Sequence, residues 1–145
     1  MGIGEKLKRK IVQAKKKIGA MLEIETEKLF NIVSEKSNAD GSGGLWAYDY
    51  INKNDNHSVT NWHYDVEPSF NTIKAITWND TPPVPYSGGT FNYIHEIAKG
   101  DLSIQTKKED YALEVKRYKD NVIKGIRKLN YKVGIKWVCY KTKKI

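Results

Sequence analysis

Cysteine is almost missing from this 145-residue chain: Cys139 stands alone, so no intrachain disulfide can form and the fold must be held by its core. That usage suits a reducing compartment. Long apolar runs are missing too. No stretch approaches the roughly 18 consecutive apolar residues that a membrane span requires, so no membrane partner is expected. The basic start, MGIGEKLKRKIV, is followed by neither a continuous apolar segment nor a small-residue cleavage site, and a secretory signal is not expected. Lys6 occupies the position where a myristoylation motif needs Ser or Thr. The sequence has no H-E-x-x-H, no C-x-x-C and no Walker-type glycine loop. The glycine cluster GSGG at 41–44 lacks the Lys-Ser/Thr that a phosphate-cradling loop needs, and it reads as a linker. With these signatures absent, neither a cofactor nor a catalytic metal is expected.

What is present is charge, unevenly laid out. The chain holds 25 Lys and Arg against 17 Asp and Glu, a net charge of +8. Residues 1–20 carry a net +6, residues 21–106 a net −7 and residues 107–145 a net +9. Basic ends flanking an acidic middle fit non-specific contact with DNA or RNA through the ends. They equally fit head-to-tail packing of identical subunits, a positive end against a negative middle, or plain solvated lysine. Hydrophobic residues make up 39% and charged residues 29%, a globular composition on the polar side. One domain over residues 1–145 is expected.

Periodicity sets out a helix, a strand-rich middle, a second helix and a last strand. In the first region, 1–36, Ile3, Leu7, Ile11, Ala14, Ile18, Met21 or Leu22, Leu29 and Val33 recur at three- and four-residue steps and predict a helix over about 4–36. Such a helix is long for a chain of this size and must project from the body or lie along a neighbour. Its first half carries Lys6, Lys8, Arg9, Lys10 and Lys15 to Lys17, and its second half Glu23, Glu25, Glu27 and Glu35, an order that opposes the helix macrodipole. SNADGSGG at 37–44 reads as a helix stop and flexible loop.

The middle region, 45–105, offers strand candidates at 45–52, 58–67, 71–79 and 91–98. Residues 79–90 hold Pro82, Pro83 and Pro85, which cannot donate to a ladder, and are expected as a long exposed loop. In the last region, 107–145, Tyr111, Val115, Tyr118, Val122, Ile126 and Leu129 predict a helix over about 107–129. Tyr131, Val133, Ile135, Trp137 and Cys139 then alternate with Lys132, Lys136 and Tyr140, which predicts a half-buried strand over 131–141. The expected fold class is α+β: a mostly antiparallel sheet packed by the long N-terminal helix and a second, C-terminal helix. Tyr93, Ile97, Val122, Leu129, Val133, Ile135 and Trp137 are expected in its core.

Chemistry-bearing residues are few. In WHYDVE, strand alternation puts His63, Asp65 and Glu67 on one face, the residue types of a metal site or a nuclease. The same pattern is also the wet face of a half-buried strand, and that plainer reading is preferred. His95 and Glu96 are adjacent, so on a strand they point to opposite faces, although either could still join His63 across strands. Cys139 falls on the apolar face of its alternation and reads as core. The basic amphipathic start could lie on a membrane surface, but its first twenty residues contain no Trp or Phe. The aromatics of YKVGIKWVCYKTKK could stack bases, although their periodicity accounts for them as core.

Two segments, GGLWAYDY over 43–50 and YIHEIAKGD over 93–101, resemble the phage head–tail joining proteins of the tail-completion family. After the long helix, GGLWAYDY places Gly43 and Leu45 on that family's G-x-L. Later, YIHEIAKGD places Tyr93, Ile97 and Gly100 on the Tyr, Val and Gly of its strand-turn segment. The chain departs from the pattern at Ala98, where the family often has Glu, at Asp101 in place of Thr, and in having no Thr before Gly43. The likeness runs over residues 5–101. It implies a non-enzymatic virion protein, present in the host cytoplasm during assembly, that forms a homo-oligomeric ring and meets portal, connector or tail-tube proteins. The charge layout and the proline loop nominate Lys15, Lys16, Lys17, Pro82, Pro83, Pro85 and Tyr86 for the interfaces. A basic nucleic-acid-binding protein and a metal-dependent nuclease or toxin are the alternatives.

Overall fold

A computed structural model describes residues 3–40, 42–46, 59–69, 71–80, 84–86, 89–91 and 111–137. The apolar stripe folds as helix α1, Ile3–Val33, 31 residues and thus about 46 Å long. The second stripe folds as helix α2, Tyr111–Leu129. The two helices run antiparallel. Thr26 Oγ1 shares a hydrogen bond with Tyr118 OH at 3.1 Å, while Met21 sits against Gly125, where an added Cβ would lie 2.8 Å from the methionine Cγ and Sδ. A side chain at 125 would make the Met21 side chain shift, so the close approach favours glycine there.

Strands β1, Trp62–Pro68, and β2, Ile73–Asn79, form an antiparallel pair in register from Trp62↔Asn79 to Pro68↔Ile73. A turn closes them, with the Ser69 N–H donating to Thr72 O at 2.8 Å. The β1 face bearing Trp62, Tyr64 and Val66 turns towards the helices, as alternation requires. The fold is thus α+β, an antiparallel sheet packed on two helices. Two apolar clusters fill the space between. One joins Leu29 and Val33 of α1 to Leu45, Trp46, Val59 and Trp62. The other joins Ile18 and Leu22 of α1 to Val122 of α2, with Val66, Ile73 and Ala75 packed against it. Trp46, Trp62 and Tyr111 stack on one another, with ring centroids 5.6–6.2 Å apart.

Three expectations need correction. First, residues 131–137 form no strand. Asn130 ends α2 in a left-handed conformation, φ 62°, its N–H reaching the carbonyls of Ile126 and Arg127. The chain then turns back along the helix until Trp137 meets the edge of the Tyr118 ring. Val133, Ile135 and Trp137, expected in the core, are 40–42% exposed. Alternation supplied the right chemistry, but no neighbouring strand among the described residues reaches this segment. Val122 is buried and Leu129 half-buried.

Second, residues 37–40 and 42–44 are built into a hydrogen-bonded turn. The Asn38 N–H donates to Ser42 O, and Asp40 Oδ1 accepts from both the N–H and the Oγ of Ser42. The returning chain caps α1: the Leu45 N–H donates to Ile32 O at 2.9 Å and the Trp46 Nε1–H to Val33 O at 2.7 Å, satisfying two of the carbonyls a helix end leaves orphaned. Among the described residues Leu45 and Trp46 belong to no strand, and Trp46 makes an isolated bridge to Lys36. Third, the expected loop 79–90 holds a short hairpin, β3 Val84–Tyr86 with β4 Gly89–Phe91. Pro85 fits there because the pair has only two strands, leaving an edge that needs no donor. The remainder of the predicted strands 45–52 and 91–98 lies outside the described residues, as do Pro82, Pro83, Tyr93, His95, Glu96, Ile97, Gly100 and Cys139.

Candidate functional site

The antiparallel helix pair folds the two basic ends of the sequence onto one pole. Ile126 and Leu129 pack on the cluster built around Ile18, so the last turns of α2 lie beside the first half of α1. Lys124, Arg127, Lys128 and Lys132 are exposed there, alongside exposed Lys16 and Lys17 and half-buried Lys15. Beyond Ala14 the helix α1 outruns the packed body. Residues 4–10 are all exposed, and Leu7, though on the apolar stripe, is 57% exposed. Lys6, Lys8, Arg9 and Lys10 therefore stand on a projecting arm.

The second half of α1 has the opposite sign, with exposed Lys116 and Arg117 of α2 near it. Glu23, Glu27 and Glu35 are exposed on the second half of α1. Two of the acids near that end are already paired within their own helices, Glu25 with Lys28 at 3.4 Å and Glu114 with Arg117 at 2.7 Å. Such exposed pairs contribute little to stability. Glu114 in the first turn of α2 and Arg127 and Lys128 in its last turn complement that helix's dipole. In α1 the lysines oppose it, and packing against the negative C-terminal end of α2 offsets part of that cost.

The residues singled out for metal or acid–base chemistry are spread along an open sheet face. His63 pairs in register with Trp78, Asp65 with Ile76 and Glu67 with Lys74. The His63 ring lies 5.3 Å from the Trp78 ring, and its Nε2 is 3.0 Å from Asp80 Oδ2. That is an ion-pair distance, but the N–H is not aimed at the carboxylate and makes no hydrogen bond. Asp65 turns back on its own chain, its Oδ1 accepting from the Val66 N–H at 2.9 Å. Among the described residues, no three His, Cys, Asp or Glu side chains converge as metal ligands, and no helix is long and apolar enough to cross a membrane.

Two tyrosines sit in shifted environments. Burial raises the Tyr118 phenol above its ordinary value, with the hydrogen bond to Thr26 opposing the shift. Tyr64 is raised first by desolvation and then by the carboxylates of Glu27 and Glu23. Both shifts follow from burial and neighbouring charge. The surface hollows are shallow and open. One is lined by Lys8, Arg9, Val12 and Gln13 on α1, the other by Tyr111, Ala112, Val115, Lys116 and Lys119 on α2.

Of the nominated interface residues, Lys15 to Lys17 lie at the basic pole, and Pro85 and Tyr86 lie in β3. Gly43 and Leu45, the first motif match, belong to the turn that caps α1. Charge counting along the chain leaves the two basic ends as separate features and does not bring Lys124, Arg127 and Lys128 together with the lysines of α1. No local pattern carries their meeting, because it depends on packing between two helices far apart in the chain. No protein-family model, curated protein or solved structure matches the chain.

Proposed function

We propose that the chain is a non-enzymatic assembly subunit of the head–tail connector or tail-completion class that its motifs resemble, working as one copy of a ring in the virion, with portal, connector or tail-tube proteins as neighbours. The observation that carries the reading is the charge polarity of the folded subunit. Its basic ends converge on one pole and one projecting helix arm, while the exposed carboxylates of α1 stand towards the other end. Like regions of two copies repel, and staggered copies attract. A heterologous contact of that kind closes into a ring or runs on as a filament. In this reading His63, Asp65, Glu67, His95 and Glu96 have no catalytic role, and the chain needs no cofactor.

The test is incorporation into particles, because a templating partner can be required before rings form. Lys15, Lys16 and Lys17 replaced together by Glu should leave the far-ultraviolet spectrum unchanged, since two of the three are exposed, and should impair incorporation. A triple variant that enters particles normally removes the electrostatic model. Purification of wild-type protein that never accompanies a ring or particle removes the virion reading. Metal-dependent hydrolysis of DNA or RNA, abolished by His63→Ala, would replace it with the nuclease.

The same pole supports a second reading, direct contact with a polyanion. Six basic residues over three segments, Lys16, Lys17, Lys124, Arg127, Lys128 and Lys132, are exposed near one another. A protein neutralising six or more phosphates loses about 10³-fold or more in affinity between 50 and 200 mM salt. Duplex-DNA anisotropy across that range separates this reading from assembly.

A further inference from the structure

Residues 131–137 have the chemistry of a strand and the surroundings of none. Their backbone makes no hydrogen bond among the described residues, and three alternate side chains, Val133, Ile135 and Trp137, are 40–42% exposed. Backbone donors and acceptors together with an alternating apolar row form a template for pairing with another chain. Only the two ends of the segment are anchored: Tyr131 packs on the cluster of Ile18, Leu22 and Val122, and Trp137 touches Tyr118 with the Lys119 ammonium 5.4 Å above its ring. Between them, nothing among the described residues lies within 4 Å of where a Cβ on Gly134 would be.

Charge decides what the segment pairs with. Antiparallel pairing with the same segment of a second copy, centred on Gly134, would set Lys132 opposite Lys136, and like charges directly opposed are unfavourable. β2 carries exposed Lys74 on the face that bears Asp65 and Glu67 in β1, so it is less acidic. β1 differs. Among the described residues it pairs only with β2, it is seven residues long like the segment, and exposed Asp65 and Glu67 lie on its outer face. Glu23 and Glu27 of α1 lie close enough to Tyr64 to act on its phenol. The β1 edge is therefore acidic on both faces.

We propose that residues 131–137 of one copy add antiparallel as a third strand to the β1 edge of the next, Gly134 opposite Asp65, so that Lys132 faces Glu67, Lys136 lies diagonal to Asp65, and Val133 and Ile135 stand beside Val66 and Tyr64. Main-chain hydrogen bonds supply the affinity and the alternating side chains the register. Donor and acceptor are different surfaces of the same protein, so the contact is heterologous and propagates. It rests on the assembly reading above and names the interface that reading needs.

The experiment is a charge swap on the full chain, read by sedimentation velocity at low ionic strength. One variant carries Lys132→Glu and Lys136→Glu, the other Asp65→Lys and Glu67→Lys. All four positions are exposed, and circular dichroism checks that both variants are folded. Wild type should associate. Each variant alone should associate about ten- to thirtyfold more weakly, and the equimolar mixture should recover most of the loss, since in an alternating assembly both contacts, the Glu segment on the Lys edge and the Lys segment on the acidic edge, are oppositely charged. Gly134→Pro, which removes no existing hydrogen bond, should abolish association while leaving the monomer folded. Wild type that stays monomeric at every concentration overturns the proposal. So does association that survives the reversals or Gly134→Pro, and so does a mixture that recovers nothing. The number of copies in the assembly tests the ring separately: a ring insensitive to the swap keeps the assembly reading without this contact, and a swap-sensitive filament keeps the contact without the ring.

Discussion

Gly43 and Gly44 are adjacent and look interchangeable in sequence, yet the fold treats them differently. A Cβ on Gly44 would lie 1.9 Å from the Glu35 carbonyl oxygen and 2.2 Å from its carbon, both backbone atoms that cannot swing aside. Gly44→Ala therefore has to push the returning chain off the end of α1. Three hydrogen bonds depend on that seat: Leu45 N–H to Ile32 O, Ser37 N–H to Trp46 O, and Trp46 Nε1–H to Val33 O. At about 1 kcal/mol net for each bond, and with the fully buried Trp46 partly displaced, the variant should lose about 3–5 kcal/mol. Gly43 has φ +88° and would meet only the exposed Asn38 amide, at 3.1 Å. Gly43→Ala should cost about 1–2 kcal/mol, the ordinary penalty for a left-handed residue. A flexible linker gives the opposite sign, since Gly→Ala in a disordered stretch stabilises slightly, by up to about 1 kcal/mol, through the unfolded state. Urea unfolding followed by tryptophan emission, with m held constant between variants, measures the difference. A Gly44→Ala protein as stable as wild type would show that the turn is not built as described.

The two buried indoles should also separate. Trp46→Phe leaves Val33 O without its donor and should cost about 1–3 kcal/mol more than Trp62→Phe, because the Trp62 Nε1 is buried without any partner among the described residues and its removal relieves a penalty; equal losses in chemical unfolding would contradict this. Tyr118→Phe should cost about 1–3 kcal/mol at neutral pH by leaving the Thr26 hydroxyl buried and unpaired, measured in the same way. In alkali the folded chain holds the Tyr118 proton more tightly than the unfolded chain does. Its contribution is therefore whole below the ordinary value of 10.0 and is lost as pH rises through the raised one. The Phe variant should flatten part of that decline, with Tyr64 accounting for a residual slope, and an unchanged alkaline curve would refute the assignment. Gly125→Ala should destabilise through its approach to Met21 and should be tolerated better on a Met21→Ala background, a coupling that a double-mutant cycle reads directly.

What is legible in the sequence is whatever depends on neighbours a few residues away. The stripe from Ile11 to Val33 and the one from Tyr111 to Leu129 repeat at helical spacing, and both fold as helices within a few residues of the predicted bounds. The alternation in WHYDVE puts Trp62, Tyr64 and Val66 against the helices and His63, Asp65 and Glu67 outside. What is not legible depends on contacts distant in sequence. Residues 37–44 have the composition of a linker, but Trp46 reaching back to Val33 makes them a cap. The prolines of 79–90 argue for a loop, although a proline at the edge of a two-stranded pair leaves no ladder donor missing. The candidate surface is half legible: charge counting finds the basic ends, and only the antiparallel packing shows that they meet.

The difference at residues 131–137 is of another kind. Tyr131, Val133, Ile135 and Trp137 do alternate as a half-buried strand should. Strand formation, unlike helix formation, needs a second strand, because every ladder hydrogen bond is made to another segment. A helical stripe therefore specifies most of its own structure, whereas a period-two stripe states only that one face wants burial. When the fold leaves such a stripe 40–42% exposed with its backbone unpaired among the described residues, local preference and tertiary structure disagree. Chains in which the levels of preference conflict are expected to concentrate the conflict at functional sites. The disagreement disappears if the missing strand comes from another copy. Lys132 and Lys136 among these residues, and Asp65 and Glu67 on an edge of equal length, give that copy a definite place to bind. The same lysines explain why the segment does not simply pair with itself. A long apolar row held off from its own kind by like charge, and matched in sign to a different edge, is the arrangement that yields directional growth rather than a closed dimer.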